Sequence, residues 1–266
     1  MFVKIYKMFK FTLLGTGTSQ GIPVIGCACA VCTSRERIDK RLRTAAMLTM
    51  NGINIIMDAG PDFRQQMLRE KVQDIDAILF THEHNDHVMG LDDVRPINFK
   101  YEKNIALYAT NRVQTELKQR FAYAFEENPY PGAPRFDLHT IDKNTPFQIP
   151  SLPDLKIIPI EIMHGKLPIL GFRLGNLAYL TDFKTIEPDE FQKLIGVKTL
   201  IISALHHETH HSHQTLTEAL AFIETLSPER TYLIHMSHRF GKHRVMNRKL
   251  PKNVWLGYDG CVLEAS

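Results

Sequence analysis

The chain has 266 residues, 44% of them hydrophobic, and its 32 Lys and Arg against 29 Asp and Glu leave a net charge of +3. That is enough material for a large buried core, and too balanced a charge for the broad electrostatic footprint of a dedicated nucleic-acid binder. No apolar run approaches the roughly 20 residues of a membrane span, and most of the cysteines crowd between Cys27 and Cys32, which argues against a disulfide framework and for a reducing cytoplasm.

The N-terminal segment is basic, but its apolar stretch is short and broken by Lys10, so no secretory signal is read there. Met8 is an alternative start, with Met1 to Lys7 as an extension. Phe9 to Leu14 reads as a first strand. The glycine-rich loop from Gly15 to Gly21 lacks the Gly-Lys-Ser/Thr ending of a phosphate-binding loop and is read as a turn. Cys27, Cys29 and Cys32 follow. Thiolates at this spacing can wrap one tetrahedral zinc but would be strained as a disulfide pair, and a fourth ligand must come from elsewhere. Cys261, in an apolar run near the end, reads as a buried thiol.

Thr44 to Met50 and Ile53 to Asp58, joined by Asn51-Gly52, carry the signal of a hairpin. Asp58 at its end either accepts the second ring N–H of a metal-bound histidine or caps a turn. Pro61 to Glu70 is compatible with a helix. The apolar run Ile75 to Phe80 reads as a buried strand that leads directly into Thr81-His82-Glu83-His84-Asn85-Asp86-His87. His82 and His84, at alternate positions, can face one cation, and Asp86 and His87 can reach a second. Two divalent ions about 3.5–4 Å apart clamp both the attacking and the leaving oxygen of a hydrolysed bond. The chain continues through Leu91-Asp92-Asp93-Val94-Arg95-Pro96, whose charged residues take no role from spacing alone.

Asn111 to Phe125 has the periodicity of an amphipathic helix with Val113, Leu117, Phe121 and Ala124 facing the core. The proline-rich stretch from Glu126 to Pro134 is expected as a loop bordering the site. The second half then repeats one theme, an apolar run followed at once by a metal-competent side chain. Leu155 to Met163 precedes His164, Leu177 to Leu180 precedes Thr181-Asp182, Leu200 to Leu205 precedes His206 and His207, and Thr231 to Ile234 precedes His235. Ligands in layered α/β proteins gather at loops beyond strand ends, so these positions are expected to converge on one cleft. No linker or composition shift divides the chain, and residues 1–266 are read as a single domain.

The H-x-H-x-D-H pattern at residues 82–87, with His164, Thr181-Asp182 and His235 downstream, resembles the metallo-β-lactamase superfamily over essentially the whole chain. That resemblance implies an α/β fold, a four-layer αβ/βα sandwich with a dinuclear site. Leu14-Gly15-Thr16-Gly17, Gln20-Gly21-Ile22-Pro23, the cysteine cluster and His235-Met236-Ser237-His238 are together similar to the phosphodiesterase family of the carbon–phosphorus lyase pathway. By this resemblance Cys27, Cys29, Cys32 and His238 hold a structural Zn²⁺. His82, His84 and His164 bind one active-site metal, Asp86, His87 and His235 the other, and Asp182 bridges both. Asp86 counts as catalytic as well as a ligand. His213, just ahead of the helix start at Thr215-Leu216-Thr217-Glu218, is the additional active-site histidine, expected to titrate near the working pH and to protonate or stabilise the leaving oxygen.

Two Zn²⁺ or Mn²⁺ ions are expected at the active site, since zinc suits the histidines and the carboxylates also accept manganese. The implied reaction is hydrolysis of a small, in one form cyclic, phosphodiester of the phosphoribosyl cyclic phosphate type by a hydroxide held between the metals. The expected partner is that small substrate, with no membrane and no nucleic acid, and a homodimer is compatible with the sequence. Two other activities stand beside it. One is a transfer-RNA 3′-processing-like endonuclease, which the superfamily also contains, although no Gly/Pro/Arg-rich insertion that would grip RNA is visible. The other is a thioester or lactone hydrolase on the same metal site. A metal-dependent binding protein without catalysis is the third class.

Overall fold

The computed structural model describes residues 8–266, so the Met1 to Lys7 extension lies outside the described residues. One sheet holds β1 (Phe9–Gly15), β2 (Ala45–Met50), β3 (Ile53–Met57), β4 (Ala77–Leu79), β5 (Ile105–Ala109) and β6 (Phe136–Thr140). The other holds β7 (Phe147–Ile149), β8 (Leu152–His164), β9 (Leu167–Leu174), β10 (Leu177–Leu180), β11 (Thr199–Ser203), β12 (Arg230–Ile234) and β13 (Val254–Leu256). The last strand, β14 (Cys261–Ala265), returns to the first sheet beside β1.

The layers follow from side-chain alternation along the strands, since successive residues of a strand face opposite sides of its sheet. Leu13, Ile55, Leu79, Phe172, Tyr179 and Ile201 meet between the two sheets in one apolar core. Their neighbours Leu14, Ile56, Ile78 and Phe80 point the other way, against Phe63, Val113 and Leu117 of the helices covering the first sheet. Ala178, Leu180, Leu200, Ile202 and Leu233 do the same on the second sheet, against Ala219, Ile223 and Met246. Strands buried on both faces must read as near-continuous apolar runs, which is how they appear in the sequence. Helices, sheet, sheet, helices is the four-layer αβ/βα sandwich.

The Asn51-Gly52 turn takes positive φ at both residues, 53° and 82°, the backbone a tight hairpin between β2 and β3 requires. The helix expected from Asn111 to Phe125 divides. Asn111–Arg120 is capped by the Thr110 hydroxyl, Phe121 leaves the helical region at φ −114° and ψ 37°, and Ala122–Phe125 makes one further turn. Phe121 is buried against the core, as the periodicity expects, although the helix is interrupted there.

β3 to β6 run parallel, as do β10 to β13, so their C-terminal ends lie along one rim. Asp58, the 82–87 loop, Asp182, the histidine-rich 206–213 segment and His235 all follow such ends. Among the described residues no helix is long and apolar enough to cross a membrane.

Candidate metal centre

The loop after β4 is pressed against the loop after β3, and the chain has glycine where the backbones nearly touch. A Cβ on Gly60 would stand 1.9 Å from the Asp86 carbonyl oxygen, and one on Gly90 would stand 2.0 Å from that of Gly60. Any side chain there would push the 82–87 loop away.

Asp58 is the hub of this contact. Fully buried, with φ 64°, its carboxylate accepts the Thr81 N–H and the Thr81 hydroxyl, both at 2.8 Å, and the His87 Nδ1–H at 2.7 Å. Because the Thr81 hydroxyl donates to Asp58, its oxygen accepts from His82 Nδ1 at 2.9 Å. Asp58 therefore fixes two histidine tautomers, one directly and one through Thr81, and leaves each Nε2 turned inward as a ligand atom. Both Nε2 atoms are buried without a hydrogen-bond partner.

From the second sheet, His164 donates Nδ1–H to the Ser212 carbonyl at 3.0 Å, which fixes its ring in the same way. Asp182 and His235 both sit in the left-handed region, at φ 52° and 58°. Such backbone in a non-glycine residue is costly and concentrates at functional sites. Asp182 turns one oxygen to His87 Nε2 and the other to His235 Nε2, each at 3.1 Å. Asp86 lies 3.3 Å from His87 Nε2 and 3.9 Å from His235 Nε2.

Burial alone would raise the carboxyl groups of Asp86 and Asp182, but His87 and His235 beside them hold both well below the usual carboxylate range. Burial pushes His82 and His164 down, so both are neutral. His87 is pushed up, because Asp86, Asp182 and Asp58 outweigh its burial. Ionised carboxylates and neutral imidazoles are the forms a divalent cation needs, and the proton on His87 is what such a cation would displace.

The donor atoms fall into three overlapping groups, His82 with His87 and Asp182, Asp86 with His87 and His235, and His164 with Asp182 and His213. His84 differs from the others. It is exposed, and its ring lies 4.6 Å from His82 and 5.2 Å from His164 without its nitrogen entering any of these groups.

His213 is closer to the centre than its expected role requires. Its ring lies 4.5 Å from His164 and 4.8 Å from His235, and its buried Nδ1, without a hydrogen-bond partner, is 3.7 Å from Asp182. A pKa near the working pH is the one expectation here that the structure corrects. Burial, then the neighbouring His235, pushes His213 down to about 2, so it is a neutral imidazole at neutral pH.

Three other histidines of that segment make local hydrogen bonds. His206 Nδ1 accepts the Glu208 N–H, His210 Nδ1 accepts the Ser212 N–H, and His207 donates Nε2–H to the Phe240 carbonyl. Asp92 and Arg95 pair with each other and with Tyr123 and Tyr130, which ties the 126–134 loop to the segment behind the metal loop, while Asp93 is exposed.

The cysteine loop closes on the C-terminal half. His238 Nδ1 lies 3.2 Å from Cys27 Sγ and 3.4 Å from Cys29 Sγ, and Cys32 completes the group. The Cys29 thiol is pushed down to about 6, chiefly by the Cys32 N–H, whereas burial pushes Cys32 up to about 11. Three sulfurs and one imidazole nitrogen match a closed zinc site. At the other centre, inward-facing nitrogens without partners beside ionised carboxylates fit two divalent cations. Among the described residues Cys261 is buried in the core between the sheets and stands apart from both groups.

Residues 53–236 match the beta-lactamase superfamily domain. The chain belongs to the metallo-β-lactamase superfamily. Within that superfamily it is similar to a diphosphatase from the PhnP family, with 38% identity and a TM-score of 0.90 over 97% of each chain. Zn²⁺-bound PqqB from Methylobacterium extorquens shares the fold at 17% identity and a TM-score of 0.77, over 96% of this chain and 99% of that one. The octanoyltransferase of Porphyromonas gingivalis (strain ATCC BAA-308 / W83) is 43% identical over 250 residues, which are 93% of this chain and 50% of that protein. The chain thus spans half the length of that relative.

Proposed function

We propose that the chain is a two-metal phosphodiesterase acting on a small phosphodiester of the phosphoribosyl cyclic phosphate type, as one domain in a reducing cytoplasm. The observation that carries this reading is the convergence of His82, Asp86, His87, His164, Asp182 and His235 on one centre whose histidine Nε2 atoms at positions 82, 87 and 235 are buried without a hydrogen bond. The ring partners of His87, His82 and His164, which are Asp58, Thr81 and the Ser212 carbonyl, support it. Two Zn²⁺ or Mn²⁺ ions held there, with His84 as a further ligand, would lower the pKa of water from ~15.7 to about 7 and neutralise the negative charge that protects a phosphodiester.

The remaining work falls to the chain. Asp58 and Thr81 hold the imidazoles in one tautomer, and Asp86 and Asp182 supply the negative charge that balances the cations. His213, neutral and packed between His164 and His235, offers a ring N–H to an oxygen of the substrate. The similar diphosphatase favours attack at phosphorus over attack at carbon. The near-balanced charge of the chain favours a compact substrate over transfer RNA.

One observation keeps a second reading, thioester hydrolysis, in play. The octanoyltransferase relative is named for moving an acyl group, although this chain matches only half of it. The test is turnover of bis(p-nitrophenyl) phosphate against an octanoyl thioester and a lactone, with Zn²⁺ or Mn²⁺ supplied. Turnover of the phosphodiester supports the first reading, and hydrolysis of the thioester alone replaces it with the second.

A further inference from the structure

Away from the metal centre, a cavity of about 910 Å³ opens between the segment after the cysteine loop, the end of the helix Phe63–Arg69 and the turn before β14. None of the candidate metal ligands lines it. Its size falls in the range of sites that hold small organic ligands, about 300–1,000 Å³.

Four cations face it, Arg37, Lys40, Arg41 and Arg69, against two carboxylates, Glu70 and Asp259. Two of these cations are committed. Arg41, buried, donates to the Thr16 hydroxyl, the Gly257 carbonyl and His243. Arg69 is taken up by Glu70 at 2.6 Å, Asp259 at 3.5 Å and the Leu14 carbonyl. The carboxylates are spent on these same contacts and on the Thr16 hydroxyl and the Leu42 N–H.

The other two cations are not used up. Lys40 gives one N–H to the Cys32 carbonyl and keeps the rest, and among the described residues the side chains of Arg37 and Gln65 make no hydrogen bond or ion pair. The cavity therefore carries a positive excess and free donors. Its remaining wall is apolar, formed by Ile22, Ile38 and the half-exposed ring of Tyr258.

We propose that this cavity is a second ligand site, for a phosphorylated small molecule with an aromatic or apolar portion, the chemical class of a nucleoside phosphate. Arg37 and Lys40 take the phosphate, with Gln65 as a neutral donor. The ring portion lies against Tyr258 and Ile38. This assignment does not depend on the reaction at the metal centre, so either can fail without the other.

The test is calorimetric titration of adenosine monophosphate into the full-length, metal-loaded protein, with inorganic phosphate as a second arm. Arg37→Glu with Gln65→Glu puts negative charge into the cavity at two exposed residues without partners, so the variant is expected to fold, and its melting temperature checks that. The expected result is that the nucleotide binds more tightly than phosphate, and that the double variant weakens its binding at least tenfold. No nucleotide binding at millimolar concentration, or equal affinity in the folded variant and the wild type, overturns the site. Equal affinity for nucleotide and phosphate overturns the proposed ligand class.

Discussion

His87 donates its Nδ1–H to Asp58 Oδ2 across 2.7 Å, with neither side chain more than 1% exposed. Asp58 precedes the metal loop by more than twenty residues, yet it decides which nitrogen of His87 faces the centre, and through Thr81 it does the same for His82. Removing an acceptor of this kind typically costs about 10–100-fold in metal affinity or activity. Asp58→Ala is expected to weaken the tighter metal step by that factor, measured by competition with a chromophoric chelator. Unchanged affinity in a folded variant would leave Asp58 with the turn-capping role alone.

Much of this arrangement was legible in the sequence because it is local. Near-continuous apolar runs distinguish the buried strands from the one amphipathic segment with helical spacing, and the H-x-H-x-D-H spacing places donors at a strand end. What the sequence did not reveal depends on distant backbone. Thr81 is an ordinary loop threonine until Asp58 lies beneath it, and the Ser212 carbonyl has no side-chain signature at all. The break at Phe121 has no signature in the periodicity, which runs on through it to Phe125. His213 was recognisable as a candidate, but its depth was not. Only the fold packs it between His164 and His235 and so sets its protonation.

Asp182 offers a second prediction, because its two oxygens face different histidines. Asp182→Ala should abolish turnover and reduce the bound active-site metal. The residue sits at φ 52°, and a β-carbon in that region costs roughly 1–2 kcal/mol when no local hydrogen bond offsets it, so alanine alone could confuse strain with lost ligation. Asp182→Asn tolerates the backbone and removes the charge. Both variants are expected to fail in turnover and in metal content by elemental analysis, and near-normal activity in the asparagine variant would refute Asp182 as the shared ligand.

The cysteine loop predicts a separable effect on stability. A zinc held by Cys27, Cys29, Cys32 and His238 pins an early loop to the late half of the chain, so its binding energy becomes folding energy. Cys29→Ser should lower zinc content by one equivalent. A loss of even about 2 kcal/mol would lower the melting temperature by roughly 4–8 °C in a protein somewhat smaller than this one. The lowered thiol of Cys29, at about 6, adds a direction in pH. Above that value the Cys29 thiolate is ready for zinc, whereas zinc must displace the proton of Cys32, whose thiol burial pushes up to about 11. Falling pH strengthens proton competition at both sulfurs, so this zinc is expected to be released on acidification. An unchanged melting temperature together with unchanged zinc in Cys29→Ser would remove the site.

The last prediction concerns what His213 does to the substrate. An imidazolium acid would speed departure of a poor leaving group and matter little for one that leaves unprotonated, so its loss would fall mainly on alkyl esters. His213 is neutral at working pH because burial, then His235, holds it down to about 2, and bound cations nearby would lower it further. A neutral imidazole still donates one N–H, and a donor aimed at charge developing on phosphoryl oxygens helps every substrate alike. Removing such a donor costs about 10²–10³-fold in turnover. His213→Ala should therefore lose rate by similar factors on an alkyl phosphodiester and on a p-nitrophenyl ester. Metal content must be measured in the same samples, because Nδ1 of His213 lies within reach of the atoms of His164 and Asp182 that could hold a cation. Similar losses with metal retained support the hydrogen-bond role, and similar losses with metal depleted would make His213 a ligand. A loss confined to the alkyl ester would restore the acid.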